Sequence, residues 1–221
     1  MAKEKRVGVI LSGSGYLDGA EIQEATLTLL YLDRRGAKVV AMAPDVMQMH
    51  VVDHVKGEPA AGEARNVLAE AARITRGAIV DVKTVKAGDL DALILPGGFG
   101  VAKNLCTFAT AGVKLEVNPD VERLIRDMSA AGKPLGFVCI APVIAAKVLG
   151  SKKVKLTIGN DPATAAAVNA LGAIHVDSPV DQIVVDERNK VVSTPAYMLG
   201  PSIAPVAAGI ERLVGAVLEM A

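Results

Sequence analysis

Tryptophan is absent from this 221-residue chain, and all aromatic residues together make up only 3% of it, so Ala, Val, Leu and Ile must do the packing. An excess of charge of either sign is also missing. Lys plus Arg and Asp plus Glu each number 24, which removes the electrostatic reason to expect nucleic acid or an acidic membrane surface as a partner. No stretch reaches the roughly 18 uncharged apolar residues that a membrane span requires. The polar start, Met1 to Arg6, runs into Val7-Gly-Val-Ile-Leu11, too short for the apolar core of a secretory signal. These absences predict a cytoplasmic protein with no membrane contact. Cysteine is nearly absent. Cys106 and Cys139 lie 33 positions apart without CxxC or histidine spacing, which points to free thiols and excludes a zinc site. Histidine is equally scarce, and His50 and His54 lack the HExxH pattern or a carboxylate partner that would suggest a metal.

What is present is the composition of a globular domain, 51% hydrophobic and 22% charged. The length suits one domain over 1–221. Short apolar runs alternate with helical patterns, the signature of βαβ units around a mostly parallel sheet flanked by helices. Strands are expected over 6–11, 38–43, 91–96 and 134–138, with closing strands near 173–176, 183–185 and 190–193. Helices are expected over 21–34, ended by Gly36, and over 67–74, 119–131, 140–149, 162–170 and 202–220. The segment 47–77 reads as an excursion from the sheet, with a loop at 57–62.

One passage stands out, Lys133-Pro-Leu-Gly-Phe-Val-Cys139-Ile-Ala-Pro142. A buried strand stops at Cys139 and a helix is expected at once. Such an elbow lifts the sulfur above the sheet edge beside unpaired helix N–H groups, where cysteine pKa values fall to roughly 3.5–7.5. The plainer role is a buried small hydrophobe. Gly97 and Gly98 end another strand and should reach the same edge. Their N–H groups, with that of Ile140, are candidates for an oxyanion hole. Glu24, in the first turn of the first helix, is the acid/base candidate, with Glu21 three positions earlier; a solvated carboxylate answering the helix dipole is the plainer role. Ser12-Gly-Ser-Gly15 lacks the Lys-Ser/Thr ending of a phosphate loop. His175-Val-Asp177 would complete a Cys–His–Asp triad only if its strand reached Cys139. Cys106 has no activating neighbour other than Lys103.

Taken together, these passages resemble the PfpI/ThiJ superfamily of class I glutamine-amidotransferase-like domains, most closely its ElbB-type glyoxalase branch. The resemblance rests on Val7–Leu11, Asp18-Gly-Ala-Glu-Ile-Gln-Glu24, Leu95-Pro-Gly-Gly-Phe-Gly-Val-Ala-Lys-Asn-Leu105, Gly136-Phe-Val-Cys-Ile-Ala-Pro142, Leu156-Thr-Ile-Gly159 and Thr194-Pro-Ala-Tyr-Met198. It implies a flavodoxin-like sandwich, usually a homodimer, acting on a small aldehyde without metal, glutathione or other cofactor. Cys139 matches the family nucleophile, Glu24 its helix-one carboxyl, and Gly97 and Gly98 its glycine pair. The implied reaction converts glyoxal to glycolate through a hemithioacetal, or reflects release of early aldehyde adducts. Ile140 stands where proteases and chaperones of the superfamily carry histidine, which argues against a peptidase. No histidine occurs between 156 and 161, where many relatives supply one. The alternative from another class is a thiol-based redox sensor or regulatory binding protein built on Cys139.

Overall fold

Runs that are apolar on both faces become strands, and amphipathic runs become the helices that cover them. The computed structural model describes residues 4–221; Met1 to Lys3, the first half of the polar lead-in, lie outside the described residues. In chain order the elements are β1 (Arg6–Ile10), α1 (Ile22–Arg34), β2 (Lys38–Ala43), β3 (Val52–Asp53), β4 (Glu58–Pro59), α2 (Val67–Ile74), β5 (Val80–Asp81), β6 (Ala92–Leu95), α3 (Phe108–Ala111), α4 (Pro119–Ala130), β7 (Leu135–Val138), α5 (Pro142–Leu149), β8 (Lys155–Leu156), α6 (Pro162–Ala170), β9 (Ile174–His175), β10 (Val184–Asp186), β11 (Val191–Thr194) and α7 (Ile203–Met220).

Helix starts follow local chemistry. The Asn118 side chain accepts from the Asp120 and Val121 N–H groups, and that of Asp161 from Thr164, each followed by proline in the first turn. Glu21 caps α1 by accepting the Glu24 N–H.

The main sheet has seven strands in the order β10-β11-β7-β6-β1-β2-β5, parallel except for β10 on the edge. Val7 and Val9 of β1 point into a core shared with α1, α2 and α7, while Ile10 joins the opposite core under α4, α5 and α6. That alternation, buried on both sides, is why β6 and β7 read as unbroken apolar runs. The α/β fold with helices on both faces is the one expected. From β1 the chain builds outward through β2 to β5, then returns to the other side of β1 as β6. The crevice above the carboxyl ends of β1 and β6 is therefore a topological switch point, where α/β proteins place ligands.

Departures from the expected elements concern short pairings. β5 and the β3–β4 hairpin were not anticipated, and the hairpin occupies part of the expected loop 57–62. The strand expected at 173–176 lies outside the main sheet: Ile174–His175 pairs with β8 in a separate two-stranded sheet. The two-residue strands β3, β4 and β5 are too short to show a period, so nothing in their sequence announces them. Among the described residues, no helix is long and apolar enough to cross a membrane.

Candidate active site at the strand-to-helix turn

Cys139 follows β7 directly and adopts φ 62°, a left-handed conformation rare for a side chain of this kind. Its N–H donates to the Thr194 carbonyl at 2.9 Å, which ties the elbow to the neighbouring strand β11. Strain of this type costs about 1–3 kcal/mol and persists only where the surroundings enforce it. One detail corrects the expectation. The helix does not begin at once; Cys139 to Ala141 form a turn, closed by the Ala141 N–H on the Val138 carbonyl, and α5 starts at Pro142.

Glu24 is fully buried beside the sulfur. Its Oε2 accepts the Gly97 N–H at 2.9 Å and its Oε1 the Tyr197 N–H at 3.1 Å, while the carboxyl is hydrogen-bonded to the Cys139 thiol. Burial pushes the Glu24 pKa from 4.5 up to about 8, outweighing the N–H donors, which favour the ionised form; Glu21 nearby pushes the same way as burial. Burial is also the larger cause that holds the Cys139 thiol well above its ordinary range, with the Glu24 charge next, against the Gly98 and Ile140 N–H groups that hydrogen-bond the sulfur. The expected low-pKa thiolate is thus corrected. Sulfur and carboxyl share one buried site, and desolvation of both outweighs the N–H donors.

Glycine is required at the strand end by contact. A Cβ on Gly97 would lie 2.4 Å from Cys139 Cβ and 2.6 Å from Glu24 Oε2, and one on Gly98 (φ 99°) would lie 2.3 Å from the Glu21 N. The expected roles of the three N–H groups divide. Those of Gly98 and Ile140 face the sulfur, whereas that of Gly97 is committed to Glu24 and is not free for an oxyanion, a correction to its expected place in the hole.

The site opens into a cavity of about 880 Å³ lined by Cys139, Ile140, Gly98, Phe99 and, from four further segments, Glu21, Phe108, Asp161 and Tyr197. Ala102, from a π-helical turn over Val101–Leu105, also lines it. Among the described residues no histidine lines this cavity. His175 is held elsewhere: its Nε2 accepts the Ile158 N–H at 3.3 Å and its Nδ1 lies 3.5 Å from Asp177, so the triad is not assembled. His54 sits at the β3–β4 turn, edge-on to Tyr16, and His50 in the preceding loop, so the two do not share a helix face. Cys106 is buried, donates to the Val101 carbonyl at 3.3 Å and is raised by burial to about 11, in keeping with an inert thiol. Among the described residues no cluster of His, Cys, Asp and Glu side chains is arranged to hold a metal ion.

Sequence reasoning missed the part played by Tyr197. The 194–198 passage was recognisable, yet a backbone N–H leaves no trace in residue identity.

The DJ-1/PfpI family model matches residues 15–198. The human glutamine amidotransferase-like class 1 domain-containing protein 3, mitochondrial, is 49% identical over 97% of this chain and 83% of its own length. The rat ES1 protein homolog, mitochondrial, is also 49% identical, over 97% and 84%. A solved structure described as an isoprenoid biosynthesis protein with amidotransferase-like domain, from Ehrlichia chaffeensis, superposes with a TM-score of 0.91 at 37% identity, covering 98% of this chain and 99% of that one. The cytoplasmic expectation is overturned by the mitochondrial names of the relatives. Lack of an apolar signal core and of a membrane span bears on secretion and insertion, not on which soluble compartment a globular domain occupies.

Proposed function

The chain belongs to the DJ-1/PfpI family within the class I glutamine amidotransferase-like superfamily, and from that premise we propose that it is a cofactor-independent, glyoxalase-like lyase of the ElbB type. The observation that carries this reading is the buried pair of Cys139 thiol and Glu24 carboxyl, with the Gly98 and Ile140 N–H groups on the sulfur. When the pair has lost one proton, the remaining one is shared, and a thiolate facing a protonated carboxyl becomes accessible. The sulfur adds to one aldehyde carbon of glyoxal, forming the S–C bond, and the Glu24 proton goes to the oxygen. The carboxylate so formed takes the C–H proton from that carbon and returns it to the second, while the hydroxyl proton of the first carbon passes to the oxygen of the second. This leaves a glycolyl thioester, with one carbon oxidised and its neighbour reduced. Water then cleaves the thioester to glycolate and restores the thiol. Two copies forming a homodimer, and a mitochondrial setting after the names of the relatives, belong to the same proposal.

Two other readings fare worse. A redox-sensing thiol draws on the same Cys139 thiolate, but it leaves the cavity of about 880 Å³ above the sulfur without an occupant. A cysteine hydrolase needs a histidine at the sulfur, and none lines the cavity among the described residues. The test is glycolate formation from glyoxal by wild type, Cys139→Ala and Cys106→Ala. Loss in Cys139→Ala alone supports the proposal; wild-type output no greater than that of Cys139→Ala ends it.

A further inference from the structure

The cavity above Cys139 is far larger than the two-carbon substrate requires. Glyoxal occupies the space of two or three waters at roughly 30 Å³ each, whereas the cavity holds about 880 Å³. That is the size class of sites, roughly 300–1,000 Å³, that enclose drug-sized ligands. Its walls are mainly apolar: Phe99, Phe108, Ala102, Ala109, Ile140 and Met198. Phe99 and Tyr16 stand about half exposed at 52% and 49%, so apolar contact area is available to a ligand.

The charges at the cavity have one sign. Glu21 and Asp161 line it, and among the described residues no Lys, Arg or His does. Asp161 accepts the Thr164 N–H at 2.8 Å, and its hydrogen bonding to Thr164 lowers its pKa and keeps it ionised. Lys103, which stands over the Phe99 ring at 5.6 Å, is engaged by donating to the Leu17 carbonyl at 2.7 Å. An anionic carbonyl compound would enter without a partner for its charge and against two carboxylates.

The geometry points to a preferred substrate that is a neutral or cationic α-oxoaldehyde bearing an apolar body of about ring size, with glyoxal a minor substrate and carboxylate-bearing carbonyls excluded. This rests on the proposed carbonyl chemistry of Cys139 and names its substrate class. The ring packs between Phe99 and Phe108 while the aldehyde carbon meets the sulfur, and burial of one ring is expected to raise kcat/KM about tenfold or more.

The experiment measures initial-rate kcat/KM for glyoxal, phenylglyoxal and 4-carboxyphenylglyoxal with wild type, Cys139→Ala and Ala109→Trp, an exposed position on the cavity wall. In parallel, Cys139 labelling by phenacyl bromide, 4-carboxyphenacyl bromide and iodoacetamide is followed by mass spectrometry, each rate divided by that of free cysteine. The expected result is Cys139-dependent turnover about tenfold faster for phenylglyoxal than for glyoxal, lost on adding the carboxylate, with the ratio collapsing in Ala109→Trp. Cys139-dependent turnover of glyoxal that equals or exceeds that of phenylglyoxal overturns the inference and leaves the enzyme standing. No turnover, but labelling enriched for phenacyl bromide and suppressed by its carboxylate, sinks the lyase reading and keeps the cavity's preference. Neither turnover nor enriched labelling overturns both.

Discussion

Tyr197 donates its backbone N–H to Glu24 Oε1 at 3.1 Å, joining positions 173 residues apart. Ala196 just before it takes φ 45°, a strained conformation that turns the chain at the end of β11 toward the carboxyl. With the Gly97 N–H on the other oxygen, Glu24 is clamped from two strand ends beside the Cys139 thiol.

The clamp sets a pH profile. Below about 8 the pair of Glu24 and Cys139 holds both protons, and the reactive state lacks one. The kcat/KM of wild type should therefore climb with pH and level off near 8. A profile flat from pH 6 to 9 would contradict this account. Glu24→Gln cannot supply the carboxylate, so its turnover should fall by roughly 10²–10⁴-fold at every pH.

Stability should respond in the opposite sense. The folded-state pKa of Glu24 is raised from 4.5 to about 8, so the folded state binds the proton more tightly. Its contribution is fully present below 4.5, declines as pH rises from there, and is lost above about 8. Denaturant titrations at several pH values should show wild type losing stability relative to Glu24→Gln across that window. Parallel curves would mean that the carboxyl is ionised when buried.

Gly97→Ala should be more damaging than its single methyl suggests. The added carbon meets both Cys139 Cβ and Glu24 Oε2 at under 3 Å, and overpacking of this kind costs about 1–3 kcal/mol. Thermal melting should show a stable but weakened fold, and glycolate assays a loss of turnover out of proportion to it. Near wild-type turnover would show that the strand end yields freely.

Cys106 should behave as packing. Native alkylation at pH 8 should modify Cys139, which lines the open cavity, and spare Cys106, which is buried away from it. Cys106→Ala should lose about 1 kcal/mol of stability, for the missing hydrogen bond to Val101, and keep its turnover. Preferential labelling of Cys106 would refute the assignment.

Much of the layout was legible in residue order. β6 and β7 are unbroken apolar runs because both faces are covered, and α4 and α6 begin where Asn118 and Asp161 precede proline. These signals are local: periodicity, capping and turn chemistry act within a few residues. Cys139, Glu24 and Gly98 could be proposed together because each ends a strand or starts a helix at one sheet edge. The mitochondrial names of its relatives lay outside what composition can show.

By itself the sequence determined the alternation of strands and helices, the free thiols and the elbow at Cys139. Tertiary structure decided the rest. It committed the Gly97 N–H to Glu24, brought in Tyr197 from the far end of the chain, kept His175 away from the sulfur, and reversed the expected acidity of Cys139. The reason is desolvation. The cost of charge at a site depends on every segment that excludes water from it, and those segments meet only when the chain has folded.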